Sequence, residues 1–356
     1  MLLPTRALDH EGRHLCGETM TLSAKMPASI GDALQWLMDP KIPRSISSRF
    51  RHLDSEGRSR LEASLRRNYF TQGDVWHSDA AAYLRSPEGK KDLADHLHGR
   101  LDAFRSTVIP WLADAKPLAN SNILEIGCGT GSSTVALAEQ GAIVTAIDIL
   151  ETSLHVAKDR CEAYGLRADF HRANATEVHR TFANQHFDFV IFFASLEHMT
   201  LDERMQAMRG TWGMLPHGSV WCVIDTPNRL WYYDGHTSWL PFFMWLPDEL
   251  SFMYSRFSPR KPFCDLYRDI GTDSKLDFLR RGRGVSFHEF ELAMNRAEEL
   301  DVVGSLGEFL RSQSVLRRVA RALTDGNRYE TFLTKIGPNI HRGFYQQRLD
   351  LIIRKS

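Results

Sequence analysis

Asn122–Asp148 read NILEIGCGTGSSTVALAEQGAIVTAID. An apolar run, Ile123–Ile126, leads into a turn with glycines at 127, 129 and 131. Helix-compatible residues follow as far as Gln140, and Gly141 stops them. A second apolar run, Ile143–Ile147, then ends in Asp148. Strand, glycine turn, helix and strand make a βαβ unit. Its turn lets backbone amides approach a ligand, and the helix N-terminus adds a positive dipole end. This is nucleoside-binding geometry.

The details of the turn separate two kinds of nucleoside. Dinucleotide sites use G-x-G-x-x-G, with the third glycine where helix and strand touch. Here that third position is Ser132. Glu125 stands two residues before the first glycine. A carboxylate aimed at the turn repels a pyrophosphate and suits a ligand that carries an ammonium and a sulfonium.

Working outward, Ser121–Ile224 alternates strands and helices. Leu150–Tyr164 predicts a helix stopped by Gly165. Ala168–His171, Phe187–Phe193 and Val220–Ile224 predict further strands. Thr200-x-x-Glu203 is a capping box that opens a helix before the last of these. Strands buried on both faces read as continuous apolar runs, as these do. Right-handed crossovers then give a doubly wound parallel sheet. Val302–Leu306 is a candidate sixth strand and Phe344–Arg354 a final one.

The first ~110 residues look helical. Ser86-Pro87-Glu88 places a capping serine, a proline at the first helical position and an acid near the dipole end. Leu93, Leu97, Leu101, Phe104, Val108 and Trp111 then fall on one helical face. Ile30–Met38 and Arg58–Arg66 are weaker helical stretches. Such a region either caps a ligand site or packs on the sheet. Ser286-x-x-Glu289 predicts a helix running to about Glu299. Four regions result: a helical N-terminal cap region (1–112), a Rossmann-like core (113–225), an aromatic-rich insertion with a helix (226–300), and C-terminal helices with the last strand (301–356).

The string E-x-G-C-G-T-G, followed by an acid after the second strand, resembles the class I S-adenosylmethionine-dependent methyltransferases of small-molecule type. Phe187–Ile191 is similar to that family's fourth strand, and Ala194–Met199 (ASLEHM) to the segment after it. Phe344–Arg354 falls where the fold's antiparallel last strand belongs. The resemblance implies a seven-stranded, mostly parallel α/β sheet and S-adenosyl-L-methionine as cofactor. It implies that Asp148 holds the ribose hydroxyls and that Asn174-Ala175 lies beside the adenine, where the family often has Asp-Ala. Glu125, Gly127, Cys128, Gly129, Gly131, Ile149 and Phe193 complete the implied cofactor site. The resemblance covers about Asn120–Asp225 well, the C-terminus loosely and the first ~90 residues not at all.

Composition narrows the rest. With 44 basic and 44 acidic residues the formal net charge is zero, so no global field draws the chain to nucleic acid or an anionic membrane. The clusters Arg280, Arg281, Arg283 and Arg317, Arg318, Arg321 read as solvated charges. Five cysteines without CxxC spacing fit a reducing, cytoplasmic setting and give no metal site. The most apolar uncharged run, Trp239–Pro247, is far short of the ~20 residues that span a membrane. The (Asn/Asp)-Pro-Pro-(Tyr/Phe) motif of nucleic-acid amine methylation is replaced by Phe193-Ala194-Ser195-Leu196-Glu197. A small-molecule acceptor is therefore expected.

Asp225–Phe263 holds eleven aromatics and five of the 14 prolines. That is too long for an ordinary loop and too aromatic for a linker. Its start resembles the Thr-Pro-Asn segment of methyltransferases acting on quinone precursors and sugars. Asn228, Arg229, Trp231, Tyr233 and Asp234 are candidate contacts for a ring or sugar face. Trp239–Leu246 reads as packing, as a lid or a homodimer contact. His198, after the fourth strand, and His236, in the insertion, are alternative general bases. Two histidines at base positions favour oxygen as acceptor. Nitrogen or carbon acceptors, a nicotinamide-dependent oxidoreductase and a non-catalytic cofactor-binding subunit stay open.

Overall fold

The computed structural model describes residues 42–71, 79–260, 263–264, 272–313 and 328–356, all within one compact unit, Pro40–Ser356. The stretch Ile30–Met38, Cys16 and the arginines at 317, 318 and 321 lie outside the described residues.

Seven strands form one sheet in the order β3-β2-β1-β4-β5-β7-β6. They are β1 (Asn122–Ile126), β2 (Ile143–Asp148), β3 (Asp169–Arg172), β4 (Phe189–Phe193), β5 (Val220–Pro227), β6 (Asp301–Ser305) and β7 (Arg348–Arg354). The first five run parallel, and β7 is antiparallel to both β5 and β6. This is the expected doubly wound sheet with an antiparallel last strand. The chain reverses between β1 and β4, so the C-terminal ends of those strands open a crevice at a topological switch point.

Apolar side chains cover both faces. On one, Leu112, Val135, Leu137 and Leu154 pack against Ile123, Phe189 and Cys222. On the other, Val178, Met208, Phe290 and Phe344 pack against Leu124, Val190 and Trp221. The Trp221 ring is fully buried, and its Nε1–H donates to Thr211 Oγ1 at 3.0 Å. The polar end of a core tryptophan is thereby satisfied.

Ser86 caps its helix as the sequence predicts, accepting the Gly89 N–H at 3.0 Å. The helical run that starts there continues to Ala115, interrupted by π-turns at Asp95–Gly99 and Phe104–Val108. The second π-turn leads directly into Pro110, whose ring and missing N–H an unbroken α-helix would not accommodate. The Thr200–Glu203 capping box forms in both directions. The helix expected from Ser286 is shorter, Phe287–Ala293. Ser286 pairs with His288, and the buried Glu289 turns to Arg204 at 2.6 Å instead of closing a capping box. Beyond the helix, the Glu291 carboxylate accepts the Ala297 N–H at 3.2 Å, which holds the chain in a turn.

Arg160 joins the N-terminal helices to the glycine turn. Its guanidinium is fully buried and donates to the carbonyls of Thr130 (2.7 Å), His96 (2.7 Å) and Leu97 (3.4 Å). Burial brings its pKa down to about 10, so it stays charged at neutral pH. Arg160→Leu removes the guanidinium that bonds all three carbonyls and should destabilise the chain by about 3 kcal/mol or more. Urea unfolding checks this; unchanged stability would mean that water replaces the guanidinium.

Candidate active site

The glycine turn is built from below. Glu125 is fully buried, and its two carboxylate oxygens accept from the hydroxyls of Ser133 and Thr134. Those residues belong to the first turn of the helix Ser132–Ala138. The carboxylate thus lies beneath the turn and ties β1 to the helix. Burial raises its pKa to about 7, against the lowering pull of the two hydroxyls.

Gly127, Gly129 and Gly131 all have positive φ, at 79°, 50° and 79°. A Cβ on Gly127 would stand 2.7 Å from Ser195 Cβ, and one on Gly131 would stand 2.8 Å from the Ala157 backbone. Gly129 alone faces open space. The outer two glycines permit packing, and the middle one presents backbone to the crevice. Cys128 is buried there, and burial pushes its thiol well above the ordinary range, which rules out a thiolate nucleophile at neutral pH.

Asp148 ends β2 with Oδ2 accepting the Gly129 N–H and Oδ1 the Leu150 N–H, each at 2.9 Å. Burial raises its pKa; these amides lower it, and so does the charge of His198. Ile149, next in sequence, is exposed. Asn174 is exposed and caps the turn Ala175–Glu177 by accepting the Thr176 N–H at 3.0 Å, while Ala175 is buried. Phe193, at the end of β4, packs edge-on against Phe104 with ring centroids 5.2 Å apart.

Residues from the N-terminal helices reach this site, although no motif marks them. His96 Nδ1 lies 3.1 Å from Thr130 Oγ1, and burial lowers its pKa to about 2, so the ring is neutral. The Tyr69 ring packs against His96 at a tilt of 45°, with ring centroids 4.3 Å apart. Burial raises the Tyr69 pKa, Arg100 lowers it, and Asp92 and Asp148 raise it.

The two candidate bases meet at the C-terminal edge of the sheet. Their rings are 6.2 Å apart. Between them lies Glu197, fully buried, with Oε1 at 3.9 Å from His198 Nε2 and 3.8 Å from His236 Nε2. Glu197 Oε2 accepts from Thr226 Oγ1 at 3.1 Å. A register shift between Val223 and Thr226 in β5 accompanies this inward turn, as bulges beside functional sites often do. Ala194 and Asp225, which follow β4 and lie in β5, carry positive φ of 39° and 60°, strain placed at the same edge.

The insertion residues divide by what they touch. Asn228 is buried, donating to the carbonyls of Phe344 and Gln346 at 2.7 Å each and accepting the Leu230 N–H at 3.0 Å. Asp234 is also buried and accepts the N–H groups of His236, Thr237 and Ser238, so it shapes the loop that presents His236. Trp231 is buried beside Tyr232 and Tyr329. Arg229 and Tyr233 remain accessible. Of the basic cluster, Arg280 pairs with Glu203 and Arg283 with Asp248. Among the described residues no group of histidine, cysteine and acids has metal-binding geometry.

Two outcomes follow for this site. Below pH about 4.5, Glu125 is protonated in both the folded and the unfolded chain; above about 7 it is ionised in both. Between these values the folded chain binds more protons, so stability should fall with rising pH by about 3 kcal/mol. Melting curves of the wild type and Glu125→Gln across this window test it; parallel curves would contradict it. Asp148→Ala should weaken S-adenosylhomocysteine binding at least about tenfold in calorimetry, because charge-assisted hydrogen bonds are lost. Unchanged affinity would remove Asp148 from the ligand site.

The family model described as a methyltransferase domain matches residues 123–218, from β1 to the turn before β5. The ubiquinone biosynthesis O-methyltransferase of Aromatoleum aromaticum is 38% identical over 94 residues, which are 26% of this chain and 38% of that protein. A putative methyltransferase of Geobacillus is 34% identical over 102 residues, 29% of this chain and 40% of that protein. The chain thus spans about two-fifths of the length of these relatives. Among solved structures, the magnesium protoporphyrin IX methyltransferase of Synechocystis is 21% identical, covering 48% of this chain and 77% of that one with a TM-score of 0.35. The glycine turn and the acid of β2 lie within the matched segment: residues 123–218 form a methyltransferase domain, in a mostly parallel, Rossmann-like sheet whose last strand is antiparallel.

Proposed function

We propose that the chain transfers the methyl group of S-adenosyl-L-methionine to a hydroxyl oxygen of a small, cyclic acceptor. One observation carries the choice of oxygen: His198 and His236, far apart in sequence, converge within 6.2 Å at the edge of the sheet that bears the glycine turn and Asp148. A hydroxyl needs a base as it attacks, whereas a neutral amine does not.

In this reading Asp148 holds the ribose hydroxyls, and the backbone at Gly129 faces the methionine part. Ile149, Asn174 and Ala175 border the adenine. Arg100 and Tyr69 supply a cation and a phenol for the ligand's carboxylate, which the glycine turn alone leaves unmatched. Arg229 and Tyr233 contact the acceptor, while Asn228, Trp231 and Asp234 hold the insertion in shape. The protein's main contribution is alignment and exclusion of water, since the displacement itself is in-line. The relatives named as ubiquinone biosynthesis O-methyltransferases support oxygen and a ring-bearing acceptor.

The test is transfer of labelled methyl from S-adenosylmethionine to a panel of phenols, catechols and sugars, with the product atom read by mass spectrometry and NMR. O-methyl products are expected. His198→Ala or His236→Ala should lower turnover by about 10²–10⁴-fold, with little change in S-adenosylhomocysteine affinity. Products methylated at nitrogen or carbon, or full activity in both variants, would overturn the oxygen reading.

A further inference from the structure

We propose that Glu197 is a positioning residue shared by His198 and His236, orienting the His236 ring and receiving the N–H that His198 gains when it removes the acceptor's proton. The proposal rests on the methyl-transfer reading of this edge of the sheet.

Glu197 has no packing reason to be an acid. It is fully buried beside Leu196, also fully buried, where an apolar side chain of similar volume would fill the space. Its Oε2 is satisfied by the Thr226 hydroxyl, but Oε1 accepts no hydrogen bond. An unmatched buried carboxylate oxygen is unfavourable unless a donor reaches it in some working state. The groups placed to do so are the two Nε2 atoms at 3.8 and 3.9 Å, just beyond hydrogen-bond length. A small rotation of either ring closes that gap.

The carboxylate is itself fixed. Its backbone carbonyl accepts the Arg283 N–H at 2.8 Å, and Thr226 is turned inward beside the register shift in β5. The rings are held from behind. His198 Nδ1 lies 2.7 Å from the Arg280 carbonyl. A carbonyl only accepts, so Nδ1 carries a proton, which leaves Nε2 as the nitrogen that can take the acceptor's proton. His236 Nδ1 faces the Thr237 hydroxyl at 3.1 Å, a group that donates or accepts. His236 can therefore adopt either tautomer, and His198 is the fixed one.

The step balances as follows. The acceptor oxygen attacks the methyl carbon of the sulfonium cosubstrate, and an O–C bond forms. The C–S bond breaks with its electron pair going to sulfur. The hydroxyl proton passes to His198 Nε2, and a small turn of the protonated ring then brings the new N–H to Glu197 Oε1. His236, as its Nε2–H tautomer, donates to the same carboxylate.

The experiment is imidazole ¹⁵N NMR of the full chain, with the two histidines assigned through His198→Gln and His236→Gln. Glu197→Gln keeps the shape and removes the charge. Its expected result is a shift of the nitrogen resonances of both histidines, with melting temperature and S-adenosylhomocysteine affinity retained. Movement of neither histidine, or of the chain neighbour His198 alone, overturns the shared role. If Glu197→Gln does not fold, His236→Gln in the wild-type background decides. It frees the carboxylate for the other ring, so the His198 nitrogens should move, and unchanged His198 signals overturn the proposal. Failure of the wild type to bind S-adenosylhomocysteine would sink the methyl-transfer reading, while the spectra still report on Glu197.

Discussion

The buried bonds between Glu125 and the hydroxyls of Ser133 and Thr134 are the constraint on which the site depends. They fasten the end of β1 to the first turn of the following helix. The glycine turn between them is then held with its middle residue facing the crevice. Asp148 grips that same residue from β2. Because β1 and β4 are neighbours, the end of β4 is delivered to the other side of the turn, where Ser195 touches Gly127. The cofactor side and the histidine side of the crevice are two consequences of one fixed turn.

A second layer of order comes from the N-terminal helices. Arg160 bonds carbonyls in both the helical run and the turn, and Arg105 joins the same run to Glu139 at 2.7 Å. Removing either partner of such a buried contact leaves polar groups unmatched, so these helices are committed to the sheet. Residues 100–115 also contribute Leu101, Ile109, Trp111 and Leu112 to the core of one face. The region therefore packs on the sheet and also brings His96 to Thr130 of the glycine turn.

Much of this was legible in the sequence, for physical reasons. Strands buried on both faces leave apolar runs, and β1, β2, β4 and β5 are legible that way. Glycines in a turn and a capping box are local and need no tertiary information. Other features depend on contacts across long sequence separations. Glu197 is conspicuous beside His198, but its burial and its approach to His236 follow from the bulge in β5 and the loop shaped by Asp234. Asn228 reads as a substrate contact because exposed amides bind rings and sugars; its amide is in fact committed to the carbonyls of Phe344 and Gln346. Glu289 reads as a helix cap because the spacing is right, yet buried Arg204 offers it a stronger partner. In each case a distant charge or carbonyl decides, and local pattern does not contain it.

The central claim is that the glycine turn, Asp148 and the two histidines form one site around a sulfonium ligand. A crystal structure of the full chain with S-adenosylhomocysteine tests it most directly. The account predicts ribose hydroxyls on the Asp148 carboxylate and the sulfur facing His198 and His236, leaving room for one small acceptor between. A ligand bound away from the glycine turn, or with its sulfur turned from both histidines, would contradict it.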